Sequence, residues 1–356
     1  MFDYFWIPLI AASISATVIF FIRPLALKQG LLDHPGGRKR HEGDIPLVGG
    51  IAVTISILVC SLLLIHSSSG HTALLVGLVI LAITGVVDDL RGISPVPKLG
   101  IQLFSAILMT SWAGIFLQSL GDIFGHRAIE VLNWGIPLTL FAVVAVINAL
   151  NMIDGLDGLA GGIAIVIFGW LAYIAGELGN MLAQRYCIIF TGALFGFLIF
   201  NWPNPMRGSR RVFLGDAGSL MLGYGIVWFT VELSQKQYNN GVNISPVVML
   251  WICGFLLIDL LAVVTRRIMK GRNPLVADRT HVHHILARLK IPHKWIVCIV
   301  VGSNAIFGAV GILCWKYGVP ERVLFLGFIG VAVLHLAVMR NAWRFVRFGR
   351  KLIRKT

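Results

Sequence analysis

Several clusters of polar residues interrupt an otherwise apolar chain, and each carries groups suited to cations, phosphates or protons. Asp88 and Asp89 directly follow the apolar run Leu75–Val87. Two adjacent carboxylates repel each other, and a helix C-terminus disfavours negative charge. A solvated helix end would instead carry Lys or Arg, so the pair points to a bound cation, most simply Mg²⁺, which takes carboxylate and phosphate oxygens. Downstream, Asn148, Asn151, Asp154 and Asp157 recur every third position beside an apolar run. On a straight helix each such step drifts about 60°, so neighbours share a face while Asn148 and Asp157 point apart. Gly155 and Gly158 allow a break or a close backbone approach. Polar groups at this depth are costly unless used.

A third cluster, Gly215-Asp216-Ala217-Gly218-Ser219, stands just before another apolar run, with Arg207, Arg210 and Arg211 upstream. Its glycines free the backbone to approach an anion, Asp216 suits a metal, and Ser219 suits a helix cap. A glycine turn with an acidic cap is the plain alternative. Asp259 lies inside an apolar run, either as a buried paired group or as a catalytic one. His281, His283 and His284 follow Arg279. They lack HExxH spacing and a cysteine partner, so phosphate or sugar-diphosphate binding suits them better than zinc. Near the start, Arg38, Lys39, Arg40 and His41 precede Pro46 and Gly49-Gly50. Membrane anchoring explains those charges as well as a lipid phosphate does, but it does not explain the Pro and Gly-Gly, which indicate a constrained helix start.

The elements that must carry these groups are set by composition. The 356 residues are 57% hydrophobic and 13% charged, with a mean hydropathy of +0.84. Soluble proteins average about 25% charged residues. These values exclude a disordered chain, a secreted disulfide scaffold and a soluble nucleic-acid binder, and they predict an all-α polytopic membrane protein. Eleven apolar runs have roughly spanning length: 4–22, 47–65, 72–87, 99–117, 132–150, 158–176, 186–201, 217–232, 246–265, 295–315 and 322–339. The first run has no basic flank or cleavage site and is read as a retained span. With the N-terminus periplasmic and the C-terminus cytoplasmic, 25 of the 30 Lys and Arg fall on the cytoplasmic side. The sequence therefore predicts one integral membrane domain, 1–340, with active-site loops 23–46, 88–98, 149–157, 202–216 and 266–294 facing the cytoplasm. A basic tail, 341–356, would lie on anionic lipid. Cys60, Cys187, Cys253, Cys298 and Cys314 all lie in apolar runs and read as small hydrophobes.

Carboxylates, arginines, histidines and a Gly-Asp loop on one membrane face form the equipment for metal-assisted chemistry at phosphate. A site at the bilayer edge implies a lipid substrate. In order along the chain, RKRHEGDIPLVGG (38–50), VVDDL (86–90), NALNMIDGLDGLAGG (148–162), VFLGDAGS (212–219), IDLLAVVTRR (258–267) and DRTHVHH (278–284) resemble the polyprenyl-phosphate N-acetylhexosamine-1-phosphate transferase family. The resemblance implies that undecaprenyl phosphate attacks the β-phosphorus of UDP-GlcNAc in the bacterial inner membrane. The products would be undecaprenyl-diphospho-GlcNAc and UMP, with Mg²⁺ or Mn²⁺ required, as the first membrane step of O-antigen or enterobacterial common antigen synthesis.

By the same resemblance, Asp88 and Asp89 are catalytic, and Asp216 and Asp89 hold metal. Asn148, Asp154, Asp157, Asn201, Arg267, His281, His283 and His284 bind nucleotide and sugar, and His41, Arg38 and Lys39 meet the lipid phosphate. Relatives also imply a homodimer. One departure is Gly92, where many relatives carry a third charged residue. Three other readings stand beside this one: another UDP-sugar such as UDP-MurNAc-pentapeptide, a proton-coupled transporter using Asp259, and a prenyltransferase that would release pyrophosphate. No internal repeat supports the transporter.

Overall fold

The computed structural model describes residues 3–33, 43–65, 69–203, 210–236, 238, 241–271 and 281–341. The basic tail beyond residue 341 lies outside these. Two compact units divide the chain.

The first unit comprises Met1–Ser119 and Glu130–Ile244. It holds α1 (Asp3–Gln29), α2 (Gly49–Leu64), α3 (Ser69–Arg91), α4 (Pro95–Ile107), α5 (Gly135–Ile153), α6 (Leu159–Glu177), α7 (Met181–Asn201) and α8 (Gly215–Gln235). A short antiparallel pair, β1 (Leu32–Asp33) with β2 (Ile45–Pro46), precedes α2. α8 is the central helix, packed against α2, α3, α5 and α6 and buried over nearly its whole length. Glu232 in its final turns is buried but satisfied, accepting from Trp228 Nε1 at 3.1 Å and Lys236 Nζ at 2.6 Å. α1 lies along α7, and Ser56 of α2 donates to the Ala11 carbonyl at 2.7 Å.

The pattern on α4 is inverted relative to a soluble helix. Its Gln102 is 2% exposed, whereas Phe104 is 50% exposed. Such a helix places its polar residues inward and its apolar ones toward lipid, as expected where no water solvates the outside.

The second unit contains Leu120–Ile129 and α9 (Pro246–Ile252), α10 (Gly254–Ile268), α11 (Val282–Arg288), α12 (His293–Lys316) and α13 (Glu321–Arg340). The run 246–265, expected as one straight span, is broken, with α9 and α10 meeting at 80°. Asn304 Nδ2 donates to the Ile252 carbonyl at 3.3 Å beside the break, and Gly254 lets the Phe307 ring approach where a Cβ would stand 2.5 Å from it. An averaged hydropathy window passes over such a break.

All eleven expected runs carry helix. Among the described residues, eight helices are long and apolar enough to cross a membrane, or up to nine if the bent pair is one span. α2 is shorter, and α4 continues only as one wider turn to Trp112 rather than to residue 117. The chain is a multi-pass helical membrane protein.

Candidate active site

α3 delivers Asp88 and Asp89 in its last turn. Gly92 then turns the chain, its N–H donating to the Asp88 carbonyl at 2.8 Å, and Ile93 N–H donates to Asp88 Oδ1 at 2.5 Å. Pro95 at the first position of α4 restarts the helix and brings Lys98 back over the carboxylates. Lys98 Nζ donates to Asp88 Oδ2 at 2.6 Å and also to Asp216 Oδ2. Burial opposes its charge, but Asp216 and Asp88 outweigh that and raise its pKa above the ordinary lysine value. One ammonium is thus shared by two carboxylates from different helices.

Asp216 enters from the first turn of α8. Gly215 has φ +71, and a Cβ there would stand 2.5 Å from Asp89 Oδ2. Glycine therefore suits the position both by conformation and by space. The Asp216 N–H meets both Asp89 oxygens at 3.1 Å. Asp89 sits at the start of α8, where the helix dipole favours an anion. The two carboxylates thus have different partners: Asp88 is paired with Lys98, and Asp89 accepts the N–H at the start of α8. Asp216 Oδ1 accepts from Asn151 Nδ2 at 2.8 Å, and the same amide donates to Ser219 Oγ at 2.9 Å.

Main-chain proximity fixes this arrangement. A Cβ on Gly85 would lie 2.1 Å from Ala217 N, and one on Gly50 2.1 Å from Gly218 N. Gly49 and Gly50 donate to the Phe213 and Leu214 carbonyls at 2.9 and 2.8 Å, and Phe213 donates to Pro46 at 2.9 Å. The Pro and Gly-Gly signal is thereby explained as a backbone seam. Arg38, Lys39 and His41 lie outside the described residues, as do Arg207 and Arg279.

The loop after α5 carries the remaining unit-one candidates. Burial, then the charges of Asp216, Asp89 and Asp157, push the Asp154 carboxyl well above the usual range. Asp157 takes Arg211 Nη2 on both oxygens, at 2.8 and 2.7 Å, and the guanidinium covers the Phe213 ring at 4.8 Å. Asn148 donates to Gln102 Oε1 at 2.8 Å, tying α5 to α4. Buried Asn201 accepts from Gly158 N at 2.6 Å and donates to the Val212 carbonyl at 2.9 Å. It binds the start of α6 to the segment that leads into α8. Asn201→Ala strands both backbone groups, and each orphaned buried group costs about 1–3 kcal/mol. A lower thermal midpoint at matched lipid content is the expected result, and an unchanged midpoint contradicts it.

In the second unit, α10 carries Asp259 and, in its last turn, a buried Arg267. Asp259 Oδ2 meets His281 Nδ1 at 2.7 Å, and Oδ1 accepts the Val282 N–H at 3.2 Å. The His281 and His283 rings stack at 5.7 Å, and His284 lies 4.1 Å from His283. Burial, then its neighbours His284 and His281, hold His283 down at about 3. Its folded value lies below the unfolded 6.5, so its contribution to stability is intact above that pH and is lost as pH falls toward 3. Between about pH 7.5 and pH 5 the unfolding temperature should drop more for the wild type than for His283→Phe. Parallel curves would refute that.

The family resemblance named Asp88, Asp89 and Asp216 together; the first unit brings their side chains together and adds Asn151 and Lys98. Lys98 was counted only as a basic loop residue. Its signal was faint: a lysine after Ser94-Pro95-Val96-Pro97, ten positions beyond Asp88. His335 of α13, 3.7 Å from Asp259 Oδ1, was not anticipated. Among the described residues, no group of three or more His, Cys, Asp or Glu is placed to hold a metal ion.

Membrane-length helices whose ends gather carboxylates, amides and a lysine define an enzyme that handles charge at a membrane boundary. Residues 71–234 match glycosyl transferase family 4. The chain belongs to this family, the polyprenyl-phosphate sugar-1-phosphate transferases. It is 35% identical to the undecaprenyl-phosphate alpha-N-acetylglucosaminyl 1-phosphate transferase of Haemophilus influenzae, over 95% of this chain and 94% of that one. Proteins of the same name are 33% identical in Yersinia pestis (96% and 93% covered) and 34% identical in Escherichia coli K12 (95% and 91% covered).

Proposed function

We propose that the chain transfers GlcNAc-1-phosphate from UDP-GlcNAc to undecaprenyl phosphate, releasing UMP. The observation that carries this reading is the convergence of Asp88 and Asp216 on one cation, Lys98, at the meeting of α3, α4 and α8. Two carboxylates that share an ammonium also suit Mg²⁺ or Mn²⁺, because such ions take one or two protein carboxylates and complete their shell with phosphates and water. Asp88 and Asp216 would hold the ion. Asp89, with both oxygens on the α8 amide, fixes Asp216. When bound, the ion supplies neutralisation of the diphosphate charge.

The chain's own groups do the rest. Lys98 would give its ammonium to a phosphate oxygen once the ion takes its place between the carboxylates. Asn151 orients Asp216 through Oδ1. Asp154 and Asp157 shape the nucleotide side, with Asn148 and Asn201 holding the flanking segments. Arg267 with His281, His283 and His284 takes the diphosphate and amino sugar, and His41 with Arg38 and Lys39 takes the lipid phosphate. Direct attack by the lipid phosphate oxygen on the β-phosphorus forms one P–O bond and expels UMP. No covalent enzyme intermediate is needed. The bias of basic residues supports an N-out, C-in arrangement of eleven segments in the inner membrane, with the site on the cytoplasmic side. The 1–340 span would act as one catalytic domain, working as a homodimer, and its product would enter O-antigen or enterobacterial common antigen synthesis.

The test uses purified protein in detergent with undecaprenyl phosphate, UDP-GlcNAc and Mg²⁺. The expected products are UMP and a lipid-linked sugar diphosphate, abolished by EDTA and restored by Mg²⁺ or Mn²⁺. Release of UDP would overturn the reading, since it would mean cleavage at the sugar. UMP release only with another UDP-sugar would keep the chemistry and change the donor.

A further inference from the structure

We propose that Asp259 is a positioning residue for the transfer: it fixes the ring of His281 so that Nε2 faces the donor's diphosphate. This rests on the function proposed above, in which His281 contacts that diphosphate.

Both residues are almost fully buried, at 1% and 2% exposure. A carboxylate only accepts, so the 2.7 Å contact requires the hydrogen to sit on His281 Nδ1. The second oxygen is held by the Val282 N–H at 3.2 Å, which locks the carboxylate's rotation. His335 stands 3.7 Å away on that same side, too far for a hydrogen bond. The ring is thus anchored at one nitrogen. Its other nitrogen, Nε2, is buried and has no hydrogen-bond partner among the described residues. An orphaned buried polar atom is costly. An oriented imidazole with one nitrogen on a carboxylate and the other unengaged is the arrangement by which proteins aim a histidine at a ligand. With a proton on Nε2, the ring donates to Asp259 on one side and to a phosphate oxygen on the other.

The alternative is that Asp259 merely holds α10 to the start of α11. A double-mutant cycle separates the two. His281→Ala, Asp259→Asn and the double variant are assayed for UMP release as full-length protein in membranes, at matched protein levels. His281→Ala is expected to raise the KM for UDP-GlcNAc and leave the KM for undecaprenyl phosphate unchanged. Asp259→Asn should do the same, by roughly tenfold to a hundredfold, the range seen when a carboxylate behind a ligating histidine is removed. In the double variant the loss should be no larger than in His281→Ala alone. Additive losses, or equal effects on both substrates, would reduce Asp259 to a structural residue and overturn the inference. A harmless His281→Ala would overturn the assignment of His281 as well, while leaving the transfer reaction itself standing. Should Asp259→Asn not accumulate in membranes, the cycle is repeated with Asp259→Glu, which keeps the charge and moves it by one methylene. Coupling to His281 is expected there too, and additivity again sinks the proposal.

Discussion

Asp216→Asn should lower the rate of UMP release by at least about 10²–10³-fold, the scale for removing one preorganised charge from a catalytic centre. The substitution is nearly isosteric. It keeps the main-chain N–H that Asp89 accepts and the side-chain oxygen that Asn151 reaches. It removes the charge that, with Asp88, grips Lys98. Folding should therefore survive while the shared cation position fails. Initial rates across a Mg²⁺ titration provide the measurement. The apparent Mg²⁺ requirement should rise along with the loss of rate. A variant with unchanged rate and unchanged metal dependence would remove Asp216 from the centre of the site.

Gly85→Ala should nearly abolish activity without touching any reactive group. Its new Cβ would fall 2.1 Å from Ala217 N and 2.3 Å from Ala217 Cα, a main-chain clash that no rotamer relieves. Overpacking of this kind costs about 1–3 kcal/mol. The helices must part, and Asp88 and Asp89 move with α3 while Asp216 moves with α8. A displacement near 1 Å at a catalytic centre costs about 10²-fold. Gly100→Ala on α4, where a Cβ meets nothing within 4 Å, is the control and should leave the rate unchanged. Equal behaviour of the two variants would show that the seam tolerates separation.

The sequence shows a residue's chemical type and its spacing from near neighbours, and these sufficed for Asp88, Asp89 and Asp216. Paired carboxylates at a helix end and a Gly-Asp-Ala-Gly turn are unusual locally, so no partner was needed to notice them. Lys98 needed its partners. Nothing in Pro97-Lys98-Leu99 marks it until Gly92 and Pro95 fold the chain back. The contact between Asp89 and the Asp216 N–H was also hidden, because nothing near residue 89 in the sequence tells which distant helix start will meet it. Asn201 was named only through the family resemblance, and its two amide contacts to main chain had no local signal. The break before Gly254 escaped because hydropathy records composition rather than direction. The apolar helices were legible, since spans this apolar have few other solutions in lipid, whereas the short α11 fell outside every expected run.

The backbone seam among α2, α3 and α8 carries one more implication. Where glycine faces glycine or alanine, the interval between helices is set by peptide dimensions, which do not vary from one membrane to another. Large exposed side chains on α1, among them Phe5, Trp6, Phe20 and Phe21, are no part of that seam. Such a division lets the lipid-facing coat drift with the thickness and composition of its host bilayer. The distances among the carboxylates are meanwhile inherited unchanged, like the gauge of a track beneath different rolling stock.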